Sequence, residues 1–281
     1  MRRVLLSLLA LCGSTVVASA QNPWVRNKAG LYTQVAYHTI PTYQTLFAAD
    51  GGVQTLEREL TEHTVQLYSE YGLSARSTLF SAVPLRVMRA GDAVDPSNAS
   101  VTQSGTLTGL GNPFLGWRYA ITDGAMPLTA SVQCGMPLSR YQDATGLRTG
   151  YAAFTLTPML STGRGYGHAF WYTYAGYGLR THGYSHILNA GAEGGLQIGP
   201  VWAMLFADWV RPLRNGTIIL PANNEITSLF VDNQGYLAIG FKSVVSLSRF
   251  TGVFLSVGGA ASAQRVPRQP GIGIGAYFKW D

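Results

Sequence analysis

The chain has 281 residues, 47% of them hydrophobic and only 12% charged, with a formal net charge of +6. Soluble domains carry roughly 25% charged residues, and the basic surplus here forms no stripe, which argues against a nucleic-acid partner. Beyond residue 20 no apolar run approaches the ~20 residues of a membrane helix.

Residues 1–20 read as a secretory signal. Arg2 and Arg3 come first, Val4 to Cys12 form an apolar core, and Ala18-Ser19-Ala20 is an A-x-A cleavage site. A lipoprotein signal through Cys12 is the weaker reading, because the bulky Leu11 precedes it. Cleavage before Gln21 leaves Cys134 as the only thiol and excludes an intrachain disulfide. Two of the 20 basic residues leave with the signal, so the remainder exceeds the 14 acidic residues by four.

From Gly30 onward, segments with every second residue apolar follow one another. The first lies near Gly30–Thr39, with Leu31, Val35 and Tyr37 on one face and Tyr32, Gln34 and His38 on the other. A long polar loop through Asp50-Gly51-Gly52 to Thr61 leads to Glu62–Ala75, where Val65, Leu67, Tyr71 and Leu73 oppose Gln66, Tyr68 and Glu70. After a tight turn, Ser77–Arg89 carries Phe80 and Arg86 on its polar face. Pro84 lies inside it and cannot donate a ladder bond, which predicts a bulge or local distortion. A loop over 90–107 follows, then Pro113–Ile121 with Arg118 on the polar face and the short turn Thr122-Asp123-Gly124. Leu128–Leu138 alternates most cleanly. Cys134 shares its apolar face, and a thiol facing lipid is structural rather than reactive.

A third loop, 139–149, precedes Tyr151–Leu160. The turn Thr162–Gly165 leads to His168–Arg180, which is aromatic on both faces: Trp171 and Tyr177 against Phe170, Tyr172 and Tyr174. His186–Ile198 places Glu193 on the polar face, and Gly199-Pro200 turns into Val201–Val210, which carries Asp208. A loop over 211–227 precedes the segments Gly235–Leu247, with Lys242, and Thr251–Ala261. The last is Gly271–Trp280, with Ile272, Ile274, Phe278 and Trp280 on one face and Tyr277 and Lys279 on the other.

Long and short gaps alternate along this series. That rhythm is the mark of an all-β, transmembrane up-and-down antiparallel barrel with short periplasmic turns and longer extracellular loops. The count is about 12 strands (10–14) over residues 30–281, preceded by a short periplasmic segment, 21–29. Periodicity alone also permits a soluble barrel with its faces reversed. The signal, the loop asymmetry and the aromatic strand ends argue for the outer membrane.

If the apolar faces meet lipid, the lumen holds Glu70, Arg86, Arg118, Arg180, Glu193, Asp208, Lys242 and Lys279. Crossed Arg–carboxylate pairs would brace the wall, and the same charges would serve as a selectivity filter. The inward aromatics Tyr32, Tyr68, Phe170, Tyr172, Tyr174 and Tyr277 either pave a path for aromatic solutes or simply fill a narrow barrel. His182 and His186 lie ~13 Å apart along a strand, too far for one zinc ion. Gly109-x-Gly111 lacks the lysine of a phosphate loop, and no G-x-S-x-G is present.

Several stretches resemble one family of Gram-negative outer-membrane barrels, the MetA-pathway phenol-degradation transporters, loosely akin to fatty-acid and toluene channels. They are YSEYGLSAR from Tyr68 to Arg76, then Val83-Pro84-Leu85; GLGNPFLGWRY from Gly109 to Tyr119; Met136-Pro137-Leu138; and GYGLR from Gly176 to Arg180. The resemblance spans most of residues 60–281. Asn112 stands where the family has an acidic residue. The fatty-acid channels carry a plug of some forty residues, whereas only Gln21–Ala29 precedes the first strand here, so no such plug is expected. The chain ends on Asp281 rather than an aromatic, and Trp280 and Phe278 are expected to address the barrel-assembly machinery.

The expected function is passive uptake of small, apolar or aromatic solutes through the outer membrane, without a cofactor. The partners would be the lipid bilayer, the assembly machinery and an unidentified solute. One alternative is a closed structural or partner-binding barrel, and another is a membrane-embedded lipid-modifying enzyme.

Overall fold

The computed structural model describes residues 21–97 and 100–280. The signal segment, Asn98 and Asp281 lie outside the described residues. Twelve antiparallel strands form a closed wall: β1 Leu31–Phe47, β2 Val53–Ser74, β3 Ser77–Ala93, β4 Phe114–Thr122, β5 Leu128–Gly135, β6 Thr155–Gly165, β7 Ala169–Arg180, β8 Ile187–Ile198, β9 Val201–Pro212, β10 Gly235–Ser246, β11 Thr251–Gln264 and β12 Gly271–Trp280. Closure comes from pairing β1 with both β2 and β12, in the latter case from Leu31 with Trp280 to Thr39 with Ile272.

The alternation dictates which side meets which solvent. Val35, Leu67, Leu85, Leu115, Leu160, Leu205, Ile239, Leu255 and Ile274 are exposed on the outside, while Tyr32, Phe80, Tyr172, Met204 and Phe254 are buried inside. Large aliphatic side chains on the outside suit a lipid solvent, and the soluble inversion does not occur. Cys134 is exposed on this outer face, paired across the ladders with Leu115 and Leu156.

The wall departs from the sequence reading in three places. The polar stretch 40–61 is not a loop: β1 and β2 run on as a hairpin of 17 and 22 residues. At ~3.3 Å per residue β2 far outreaches a ~25 Å apolar band. The ladder slips between Ile40 and Thr45, around Pro41, which has no N–H to give. At Pro84 the β2 ladder runs through without a bulge. The break lies on the other side, where Gly111-Asn112-Pro113 separates β4 from the short strand Gly105–Leu110 within the supposed loop. The stretch 162–165 is strand rather than turn, and the reversal falls at 166–168.

Candidate functional site: a chamber between two seals

The segment 21–29, read from sequence as a short leader with no plug, folds back into the barrel at the short-turn end. Ala29 has a φ of 63°, and its N–H donates to the carbonyl of Gly72 at 2.7 Å. Gly72 admits this crossing because any Cβ there would strike the carbonyl of Asn27. Inside, Arg118 donates through Nη1 to the carbonyl of Trp24 (2.6 Å) and to Asn22 Oδ1 (3.2 Å). It also pairs with Glu70 at 3.4 Å. Arg26 Nε meets the other carboxylate oxygen of Glu70 at 2.6 Å, and the Tyr68 hydroxyl donates to Glu70 Oε1 at 2.7 Å. Glu70 and Arg118 are both about 1% exposed. A carboxylate so placed needs such partners, because an isolated charge in a low-dielectric site is costly.

Trp24 crosses the lumen to the opposite wall. Its ring meets Phe170 and Tyr172 edge-on at 5.9 and 5.8 Å. Around it lie Tyr32, stacked on Tyr277 at 5.6 Å, and Phe80, Trp202 and Phe254, so aromatic packing closes what the plug leaves. Lys279 is buried at the same end.

The long-loop end is closed by the loops themselves. A two-residue hairpin, Tyr141–Gln142 with Leu147–Arg148, packs beneath the helix α1, Ala222–Thr227. Arg148 Nε donates to Asn224 Oδ1 (2.9 Å), Thr227 Oγ1 to the carbonyl of Gly146 (2.7 Å), and Gln234 Nε2 to that of Arg265 (2.6 Å). The Ser185 hydroxyl donates to Asp232 at 2.9 Å. Asn224, Leu147 and Val231 are fully buried. Beneath them Arg86 lies over Phe230 at 4.5 Å, Phe230 meets Tyr151 edge-on at 5.4 Å, and Arg180 covers Tyr151 at 4.2 Å. At the rim, partial burial and the bond to Asp143 push the Tyr141 hydroxyl up to about 12, and burial raises that of Tyr184.

Between the seals lies a chamber of about 680 Å³. One wall presents Arg86, Glu62 and His38, and the other Glu193, Lys242, Asp208 and Tyr174, with Tyr68, Tyr172, Phe206 and Phe254 between them. Lys242 pairs with Glu193 at 2.7 Å, Arg86 with Glu62 at 3.4 Å, and the Tyr174 hydroxyl donates to Asp208 at 2.5 Å. Among the described residues, Arg86 Nε and Nη1 and Glu193 Oε1 have no hydrogen-bond partner. The chamber continues to Ile40, Pro267, Gln269 and Ile272. There the β1–β12 ladder stops at Thr39 and Ile272, and Val266–Pro267 pairs higher up with Leu46–Phe47.

The eight charged residues singled out in the sequence therefore all sit inside the barrel, but in separate layers. Glu70, Arg118 and Lys279 are at the plugged end. Glu193, Asp208 and Lys242 line the chamber wall, and Arg86 and Arg180 lie under the cap. The six aromatics fill the plugged end and the chamber floor. The reading missed Asn22, Trp24 and Arg26, and the cap residues Arg148, Asn224 and Asp232. A tryptophan and an arginine two residues apart in so short a leader were the available signal for the plug.

Ser185 lies against Asp232, with His186 next to it in the chain, but the three do not form a hydrolytic set. Ser185 is buried, its hydroxyl is given to Asp232, and His186 Nδ1 accepts the backbone N–H of Arg180. No histidine is placed to activate that hydroxyl.

No protein-family model matches the sequence, and no curated protein matches it. Solved structures match the fold. An outer membrane channel from Pseudomonas putida F1 superposes with a TM-score of 0.67 at 13% identity, over 94% of this chain and 100% of that one. The translocator domain of the autotransporter NalP from Neisseria meningitidis gives 0.52 at 10% identity, over 91% and 90%. The β domain of the Bordetella autotransporter BrkA gives 0.50 at 14%, over 90% and 100%. The architecture is that of Gram-negative outer-membrane barrels.

Proposed function

We propose that the chain is an outer-membrane channel for passive uptake of small apolar or aromatic solutes, with the long-loop end outside the cell and the short-turn end in the periplasm. The chamber carries this reading: about 680 Å³ of space lined by Tyr68, Tyr172, Phe206 and Phe254, lying between the plug and the cap and continuing to the interrupted β1–β12 ladder. A hydrophilic pore would keep a wide axial path, whereas an apolar solute needs an aromatic-lined space that excludes bulk water. The solved channel of similar fold supports passage across the membrane, and the solute class rests on the aromatic lining together with the resemblance to phenol-pathway transporters. Glu193–Lys242 and Arg86–Glu62 then act as polar contacts that orient a solute.

The test pairs two measurements on the refolded barrel. In planar bilayers the intact chain should pass little ionic current, while in proteoliposomes it should speed entry of a monoaromatic probe such as toluene over protein-free vesicles. Large, stable current steps from the intact chain would replace this reading with an open aqueous pore. Silence in both assays would leave a closed structural barrel.

A further inference from the structure

We propose that the outer wall carries a docking site for the phosphate of an outer-leaflet lipid, built by Arg211 and Arg214 above Trp209. The site lies apart from the chamber but rests on the orientation proposed above.

The outward residues of β9 are Val201, Ala203, Leu205, Ala207 and Trp209, and the apolar stripe then ends on an exposed arginine, Arg211. A second cavity, of about 720 Å³, opens on this outer face, with Leu188, Trp209 and Leu237 at its base and Arg211 and Arg214 at its rim. Leu188 pairs with Arg211 and Trp209 with Leu237, so the apolar base and the cationic rim belong to adjoining rungs of the same ladders. Two backbone features keep the groove open. The β10–β11 register shifts between Leu237 and Ala238. Gly235 presents no side chain, and a Cβ there would approach Pro212 Cδ to 2.8 Å.

The charges leave room for an anion. Arg214, turned back at a φ of 56°, gives one guanidinium N–H to Gln264 Oε1 at 3.0 Å, a neutral acceptor. Among the described residues no carboxylate pairs with Arg211 or Arg214. Asp50 is the acidic residue lining the groove, and its Oδ1 accepts the N–H of Gly52. Just beyond, Leu213 and Ile219 are exposed, Ile219 at 95%. Hydrogen bonds from Leu213 N–H to His186 and from Ile218 N–H to Gly183 hold this stretch along the margin of β7 and β8.

An apolar base continuous with the lipid-facing band, a tryptophan at its edge and guanidinium groups immediately above match an amphiphile with an anionic head. Acyl chains lie along Leu205, Trp209 and Leu237, and the phosphate meets the arginines, whose forked N–H groups suit phosphate oxygens. A free anion would leave the apolar base unused.

Native mass spectrometry of the refolded barrel in detergent tests this, with diphosphorylated lipid A, its dephosphorylated form and inorganic phosphate as probes. The intact barrel should retain the phosphorylated lipid over the dephosphorylated one, and Arg211→Ala with Arg214→Ala should weaken retention about tenfold or more. Arg211→Lys with Arg214→Lys should restore part of it. Arg89→Ala, which removes an exposed outward arginine on β3, should change nothing, and heat-modifiable migration on gels checks that each variant is folded. Equal retention of both lipids, or equal loss on Arg89→Ala, would reduce the groove to ordinary annular lipid contact and overturn the proposal. Displacement of the lipid by millimolar inorganic phosphate would also overturn it, in favour of a soluble-anion site. Retention of phosphorylated lipid by a barrel that speeds no toluene entry would leave the docking site standing and remove the transport reading.

Discussion

The two ends of the barrel are sealed by opposite means. At the short-turn end one segment, residues 21–29, carries the closure through Asn22, Trp24 and Arg26, anchored on a single buried carboxylate, Glu70. At the long-loop end many modest bonds among residues 140–154, 181–186 and 213–234 share the work, with no one residue central. A seal hung on one cluster is released by one event; a distributed seal loosens locally and stays shut. The plug is therefore the end that can open as a unit.

The sharpest way to break this contrast is to remove the segment. A chain lacking Asn22–Asn27 should show stable conductance steps where the intact chain is nearly silent. Continued silence would mean that the aromatic cluster of Tyr32, Phe170, Trp202 and Tyr277 closes the barrel without the plug. Next in size is Arg118→Met. It leaves Glu70 with Arg26 and the Tyr68 hydroxyl and should cost less than the ~3–5 kcal/mol of a buried charge left wholly unpaired, read as a lower urea midpoint together with plug release. The double variant Glu70→Gln with Arg118→Met should recover part of that loss, since the carboxylate that lost Arg118 is then neutral, while Arg26 keeps an amide oxygen in place of its charge partner. Strict additivity would show that the two residues act separately.

How far this was legible in the sequence follows from what each part depends on. The wall was readable because alternation is local: β12 occupies the range read for it, Gly271–Trp280, and Glu70, Arg118 and Glu193 lie on the inner face that alternation assigned. The plug was not, because nine residues without periodicity say nothing about where they fold, and their partners Glu70 and Arg118 lie 44 and 92 positions beyond Arg26. The cap escaped for the same reason. Arg148 meets Asn224 across 76 residues of sequence, and neither stands in a pattern that names the other. The β1–β2 extension was hidden by chemistry: above the membrane both faces meet water, so Thr, Gln and Glu replace the aliphatic beat that marks a lipid-facing strand.

Intermediate effects separate the parts of each seal. Trp24→Ala removes two edge-on ring contacts, each worth about 0.5–1.5 kcal/mol, while leaving Arg26 on Glu70. Brief, flickering openings are expected in place of the stable steps of the deletion, and fully stable steps would show that the ring alone is the gate. In the cap, Asn224→Ala strands Arg148 Nε and the carbonyl of Leu229, at about 1–3 kcal/mol for a buried group left unpaired. Hydrogen exchange should accelerate across 222–232, with conductance unchanged.

Phe230→Leu is the smallest of these perturbations and the most direct probe of a distributed cap. It keeps an apolar side chain of similar bulk but removes the ring that lies beneath Arg86 at 4.5 Å and meets Tyr151 at 5.4 Å. The cation–π contact is worth about 0.5–1 kcal/mol, up to ~2 when desolvated, so exchange should quicken at 228–232 while 147–149, held by Arg148 and Thr149, stays protected. Arg86 would keep Glu62 as its charge partner and remain at the chamber wall. If instead this one substitution opened the pore as widely as loss of the plug, the stack of Arg86, Phe230, Tyr151 and Arg180 would be a second gate, and the axial route would have two doors rather than one.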